Sequence, residues 1–428
     1  MRYVGYRKQE IIIVSDVKIS DTEYQVLVLP EELSNLSAET LMLNYIVKNN
    51  KITPKVATKE GKKLKVAFVG NWKMRCGIST YAENLWPKVI EKIGDFKLFI
   101  EYNDLITGPI NEIGDKIVAT EKVVPCWKRG ESLEKLIKEI KDFDPDIIWI
   151  QHEFGLWPNA RYWLALMTQL SNYRIIVTMH SVFHHKDKTI VEAAIPEIVV
   201  HLDGAKQVLT NEKQIPGKVY VIPHGCFPVL DKQKLWNFYK SEKTIIQFGF
   251  LFKYKGWESS LQAIALLKQK HPDIFFTGLC SESPFNKIEN NRYYNELLEL
   301  VEKLEIQNNV AFIRGFQSDE TLNSYLRTNK LGIFPYVSSP GHEVWGVSGA
   351  ARLAMSKNLP IITSYGNHFS DIPSIKANNY EDMAKQIDLL FNNKQLINEQ
   401  LIKQEKYLEE NSWENIAISY VNLFENAH

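Results

Sequence analysis

From Lys65 onward the chain alternates two textures. Short apolar runs such as LKVAFVG (64–70), FKLFIEY (96–102) and DIIWIQ (146–151) read as buried parallel strands, and between them YAENLWPKVIEKI (81–93) and ESLEKLIKEIKDF (131–143) carry apolar residues at helical spacing. The pattern continues with a helix over 159–170, a strand over 174–185, a helix over 189–202 and strands over 205–210 and 218–229. A polar crossover over 231–243 follows, which puts a domain boundary near residue 230. Strand, loop and helix then restart over 244–270, and strands over 273–280, 309–316 and 330–336 alternate with helices over 293–306 and 318–329. Such alternation predicts an α/β chain of two parallel sheets, each covered on both faces. The last run, 401–428, places Trp413, Ile416, Tyr420 and Phe424 on one face, so a packed helical tail is expected. Residues 1–64 differ: short strands over 10–16 and 23–30, a short helix over 32–47 and a link over 48–63 make them either a packing extension or a small appended module.

A chain of 428 residues is too long for one core, so two domains of about 200 residues and a cleft between them are expected. With 51 basic residues against 51 acidic ones, no global field recruits nucleic acid or a membrane. The local exception is the lysine run from Lys48 to Lys65, which suits a solvated linker. Four cysteines without a CxxC pair imply neither a zinc knuckle nor a disulfide framework and fit a reducing, cytoplasmic setting. Charges interrupt every early apolar run, so neither a secretion signal nor a spanning helix is expected.

Candidate chemistry gathers at strand ends. The stretch Phe334–Ser364 runs from a polar loop into a small-residue helix, where Gly346, Val347, Ser348 and Gly349 would aim free N–H groups at an anion, or where Ser348 simply caps the helix. Glu343, three residues earlier, could accept from a polyol hydroxyl. In the first lobe, Arg75, Cys76, Gly77 and Ile78 lie beyond the carboxyl end of a strand and should face the cleft. Two further strands end at His152–Glu153 and at His180, which is followed by His184 and His185. HEFG lacks the second histidine of HExxH, so zinc is not expected; His180 suits ligand contact or proton handling, or a hydrogen-bonded structural role. Lys253 and Lys255 precede Gly256 in the second lobe, where a lysine could neutralise a leaving phosphate or be solvated.

These segments, taken in order, resemble the nucleotide-sugar glycosyltransferases of family 4. The resemblance is carried by KVAFVGN with RCGISTYAENL, IIWIQHEFG, IIVTMHS, VYVIPHG, IIQFGFLFKYKG, NVAFIRGF, the 334–364 stretch and SWENIAISYVNLFE. It implies a GT-B fold of two Rossmann-like lobes: an acceptor-side lobe over 65–230, a donor-binding lobe over 231–411 and a helix over 412–428 crossing back. It further implies metal-independent, cofactor-free, retaining transfer from an NDP-sugar to a glycan, lipid-linked or other hydroxyl acceptor, in the cytoplasm or at the inner membrane surface. A nucleic acid base or protein acceptor, and an idle binding protein, stay open. Carried across, His180, Glu343 and Lys255 are the catalytic candidates, and Gly77, Lys253, Lys255, Glu343 and Gly346 to Gly349 the donor contacts. Arg75, Ile78, His152 and Glu153 fall on the acceptor side. The chain departs from the family pattern at Phe250, where an arginine is usual, and at Ala351 or Leu353, where a second glutamate is usual.

Overall fold

The computed structural model describes residues 64–102, 104–184, 190, 193–229, 243–282, 287–337 and 343–426, together with the strands of the N-terminal unit. The crossover expected over 231–242, His185, and residues 28–43 and 55–63 lie outside the described residues.

The chain divides into a unit of Met1–Lys63 and a unit of Leu64–His428. In the first, Lys18–Ser20, Glu23–Leu27, Asn44–Lys48 and Lys51–Pro54 form an antiparallel meander, and Tyr6–Arg7 pairs with Glu10–Ile11. Asn44–Lys48 and Lys51–Pro54 are strands where a helix end and a link were expected, because Ile46, Val47, Ile52 and Thr53 are β-branched and suit a pleated ladder.

The larger unit holds two parallel sheets. The first has the order Val123–Trp127, Asp95–Glu101, Lys65–Gly70, Ile147–His152, Arg174–Met179, Glu197–Val200 and Lys218–Val221. The second runs Val310–Arg314, Phe275–Ser281, Thr244–Phe250, Leu331–Phe334, Ile361–Ser364 and Ile375–Ala377. In both, strand order reverses direction beside the lobe's first strand, so the loop leaving that strand opens into a crevice at the carboxyl edge. These are the loops that carry Gly77 and Lys255.

Residues 189–212 correct the sequence reading. The expected helix ends instead in the strand Glu197–Val200, since Pro196 cannot continue a helix and Ile198, Val199 and Val200 are buried β formers. The expected strand over 205–210 is helical, Asp203–Gln207 followed by a wide turn over Val208–Glu212.

The C-terminal helix Trp413–Glu425 packs on the first lobe, burying Trp413, Ile416, Tyr420 and Phe424. Each such side chain contributes about 1.5–3 kcal/mol. Polar contacts fix its register: Tyr420 Oη lies 3.1 Å from Tyr81 Oη and 2.9 Å from Thr178 Oγ1. Arg174, held by Glu197, donates to the Phe424 and Leu423 carbonyls at 2.7 and 2.8 Å and so closes the helix end.

Candidate functional site

A cavity of about 390 Å³ lies between the lobes. Its first-lobe wall is the start of the helix Gly77–Ile90, whose first turn is capped by Cys76 Sγ accepting from Ser79 N at 3.4 Å. Gly77 lines the cavity, and a Cβ there would meet nothing within 4 Å. Arg75 is exposed at the rim, its guanidinium 5.5 Å from the ring centre of Phe316 in the second lobe.

The second-lobe wall is polar at one end. Lys255 Nζ donates to Tyr336 Oη at 2.7 Å and stands 4.0 Å from that ring's centre. Tyr336 Oη is 2.8 Å from Ser348 Oγ, which also accepts from Ala351 N at 3.3 Å and so caps the helix Gly349–Ser356. Lysine, phenol, hydroxyl and helix start therefore form one chain, with the lysine charge and the positive end of the helix dipole at the same wall. Of the two sequence readings the structure shows the cap, and Ser348 stands beside residues that line the cavity.

A strand pair stitches the lobes beside this wall. Ser181–Phe183 runs antiparallel to Val344–Gly346, pairing Ser181 with Gly346 and Phe183 with Val344. A Cβ on Gly346 would lie 3.2 Å from the His180 carbonyl oxygen, and Trp345 packs so tightly on Gly204 that a Cβ there would be 2.0 Å from its ring.

Behind the first-lobe wall three histidines meet, one from the end of each of three neighbouring strands. Tyr81 has His180, His201 and His224 at ring-centre distances of 4.8, 5.3 and 5.1 Å. His201 Nδ1–H donates to Ile222 O at 2.9 Å and His224 Nδ1–H to Gly225 O at 2.7 Å; His180 Nε2 is 2.7 Å from Gln151 Oε1. Burial pushes the His201 pKa down to about 4 and that of buried His152 down to about 3. Burial and the other histidines hold His180 well below the usual range, and burial with the charge of Arg352 does the same to His224. An unfolded histidine titrates at about 6.5, so the stability held by these neutral rings is complete above that pH and is lost as pH falls toward 4. We expect the urea midpoint to fall steeply between pH 7 and 4.5, each ring that stays neutral costing up to about 2.7 kcal/mol over the two pH units below 6.5, since each tenfold change in proton affinity between the folded and unfolded chain is worth about 1.4 kcal/mol. An unchanged midpoint would contradict neutral burial.

The structure brings only some of the sequence candidates together. Gly77, Lys255, Val347 and Gly349 line the cavity, with Ser348, Gly346 and His180 directly behind it. Lys253 is exposed and paired with Glu296 at 2.8 Å, outside the lining, and Glu343 is exposed at the start of the stitching strand. Ile78 packs on the first-lobe core. His152 is core as well, edge-on to Phe154 and Trp163, while Glu153 accepts from Phe154 N in its own turn. Trp72, Trp157 and Trp163 are buried in the first-lobe core. Tyr81, His201, His224, Tyr336 and Arg352 carried no signal that joined them, since five separate elements supply them. Among the described residues no group of three or more His, Cys, Asp or Glu side chains could hold a metal ion, and no helix is long and apolar enough to cross a membrane.

Comparison with solved structures decides the architecture. A glycosyltransferase from Rickettsia africae superposes with a TM-score of 0.63 at 14% identity, covering 86% of this chain and 100% of its own. Anabaena HepE, solved in complex with UDP and glucose, does so with 0.63 at 11%, covering 85% of this chain and 100% of its own.

The fold is GT-B.

Residues 230–411, a range that includes every strand of the second sheet, match the family described as glycosyl transferases group 1. An uncharacterized glycosyltransferase of Haemophilus influenzae is 28% identical over 217 residues. That match covers 46% of this chain and 52% of the relative, so the chain spans about half of that relative's length.

Proposed function

We propose that this GT-B protein transfers a sugar from a nucleoside-diphosphate sugar to an acceptor hydroxyl, with retention and without a metal. The observation that carries the reading is the chain from Lys255 through Tyr336 and Ser348 to the start of the helix Gly349–Ser356, on the wall of an interlobe cavity. As the bond from the anomeric carbon to phosphate breaks, charge grows on the leaving diphosphate, and a lysine and a helix N-terminus stabilise it. The acceptor oxygen then bonds the same face of that carbon while its proton passes to the leaving phosphate. In this scheme Gly77 lies beside the phosphates, His180 orients the sugar and Glu343 accepts from sugar hydroxyls. The acceptor is a glycan or lipid-linked hydroxyl.

His180→Ala is expected to lower turnover more than tenfold, because the ring abuts Tyr81 of the cavity wall and the residue immediately precedes the stitching strand, while circular dichroism stays unchanged. Wild-type rates in the folded variant would remove this role. The reading as a whole is tested by thermal shift with UDP-, GDP-, ADP- and dTDP-sugars, starting from UDP-glucose given the HepE complex. A donor at a thousand times its Kd adds about 4 kcal/mol of stability; no shift with any of the four would overturn the proposal. A binding protein without transfer is the second reading, favoured by Leu353 lining the cavity where the resemblance implies a ribose-holding glutamate. Release of free sugar from any bound donor excludes it.

A further inference from the structure

Arg352 is 2% exposed, yet it lines the interlobe cavity together with Lys255 and Gly349. It lies in the opening turn of the helix Gly349–Ser356, so its charge adds to the positive end of the helix dipole. A guanidinium carries five N–H donors. Nη1 donates to Ser348 O at 3.2 Å, and Nη2 donates to Asp371 Oδ2 and, at 3.1 Å, to Tyr407 Oη. The Cys226 thiol also faces it. Its Nε–H is buried without a partner, a state that costs about 1–3 kcal/mol.

A structural ion pair alone does not account for this arrangement. Asp371 leaves its own Oδ1 unpartnered; His224 is held toward the neutral form by burial and the charge of Arg352, and His368 by burial and the charges of Lys255 and Arg352. Lys255 adds a second positive charge on the same wall. An anion reaching it would find Lys255, the helix start and a rigid guanidinium edge, the geometry that suits a phosphate oxygen.

We infer that Arg352 is the second cation of the donor site, its guanidinium charge holding the diphosphate of a nucleoside diphosphate at the cavity wall, with Asp371 as its resident counter-ion. The inference rests on the proposed donor chemistry. It makes an unusual demand on Asp371: removing that carboxylate weakens the protein alone but strengthens its hold on the diphosphate, because the ligand takes over as the counter-ion.

The test is calorimetric titration of the full chain with UDP, GDP, ADP, dTDP and inorganic pyrophosphate, alongside thermal melts. Arg352→Met is expected to weaken binding of the preferred nucleotide about tenfold or more, and Arg352→Lys by less. Asp371→Asn is expected to lower the melting temperature of the protein alone and to tighten nucleotide binding about threefold or more. An unchanged Kd in folded Arg352→Met, or weaker binding in Asp371→Asn, overturns the role. Should Arg352→Met fail to fold, the direction of the Asp371→Asn change decides by itself. If the wild-type protein binds none of the five, the donor reading falls as well; binding that ignores both variants removes Arg352 alone.

Discussion

Replacing Lys255 by alanine is expected to lower transfer about a hundredfold in kcat/KM, equivalent to about 2.7 kcal/mol, without disturbing the fold. Among the described residues Lys255 has no carboxylate within ion-pairing distance, whereas its neighbour Lys253 is taken up by Glu296. Its ammonium is instead positioned by neutral groups, the Tyr336 hydroxyl and the faces of Tyr254 and Tyr336. Such a cation keeps its full charge for a ligand. In the diphosphate-leaving step the benefit grows as the bond breaks, so the loss should fall on kcat as well as on KM. Tyr336→Phe, which keeps the ring and removes the hydroxyl, should cost less than Lys255→Ala. Lys253→Ala should change the rate less than twofold. Equal effects of the two lysine variants would sink the assignment.

Gly256→Ala is expected to destabilise the protein by about 3 kcal/mol or more, the combined cost of left-handed backbone and a backbone clash. Gly256 has a φ of +70° and precedes the helix Trp257–Lys268, and a Cβ there would lie 1.9 Å from Pro335 O. A carbonyl oxygen of the Leu331–Phe334 strand exit cannot swing aside as a side chain would. The substitution must therefore push apart the two segments that carry Lys255 and Tyr336, and activity should fall with stability. Gly77→Ala is the natural control, since it has free space around its Cβ. Urea unfolding of both variants checks the contrast; equal midpoints would refute the clash.

Much of the fold is legible in the residues, because strands buried on both faces read as continuous apolar runs and the helices between them keep their period. What escaped did so for physical reasons. The strand Val123–Trp127 contains Pro125, which argues against a central strand; it is tolerated because this strand is the sheet edge. Residues 189–202 contain helix formers, but Pro196 and the buried run that follows decide for a strand. The site divides in the same way. Gly77, Lys255 and the Ser348 helix start are local signals, each a loop leaving a strand. The ring of histidines around Tyr81 and the Arg352–Asp371–Tyr407 group are assembled by topology from segments up to 55 residues apart in the second group alone, and no window of sequence contains them.

The short ladder between Ser181–Phe183 and Val344–Gly346 makes the site conditional. One of its strands begins at the residue after His180, the other at the residue after Glu343, and beside them Trp345 packs on Gly204, so the two lobes are held together at this point by both a ladder and a ring. The histidine of one lobe and the carboxylate of the other stand at opposite ends of the ladder and keep a fixed spacing only while the seam is shut. The seam thus ties two spacings together: whatever separates Ser181–Phe183 from Val344–Gly346 also separates His180 from Glu343.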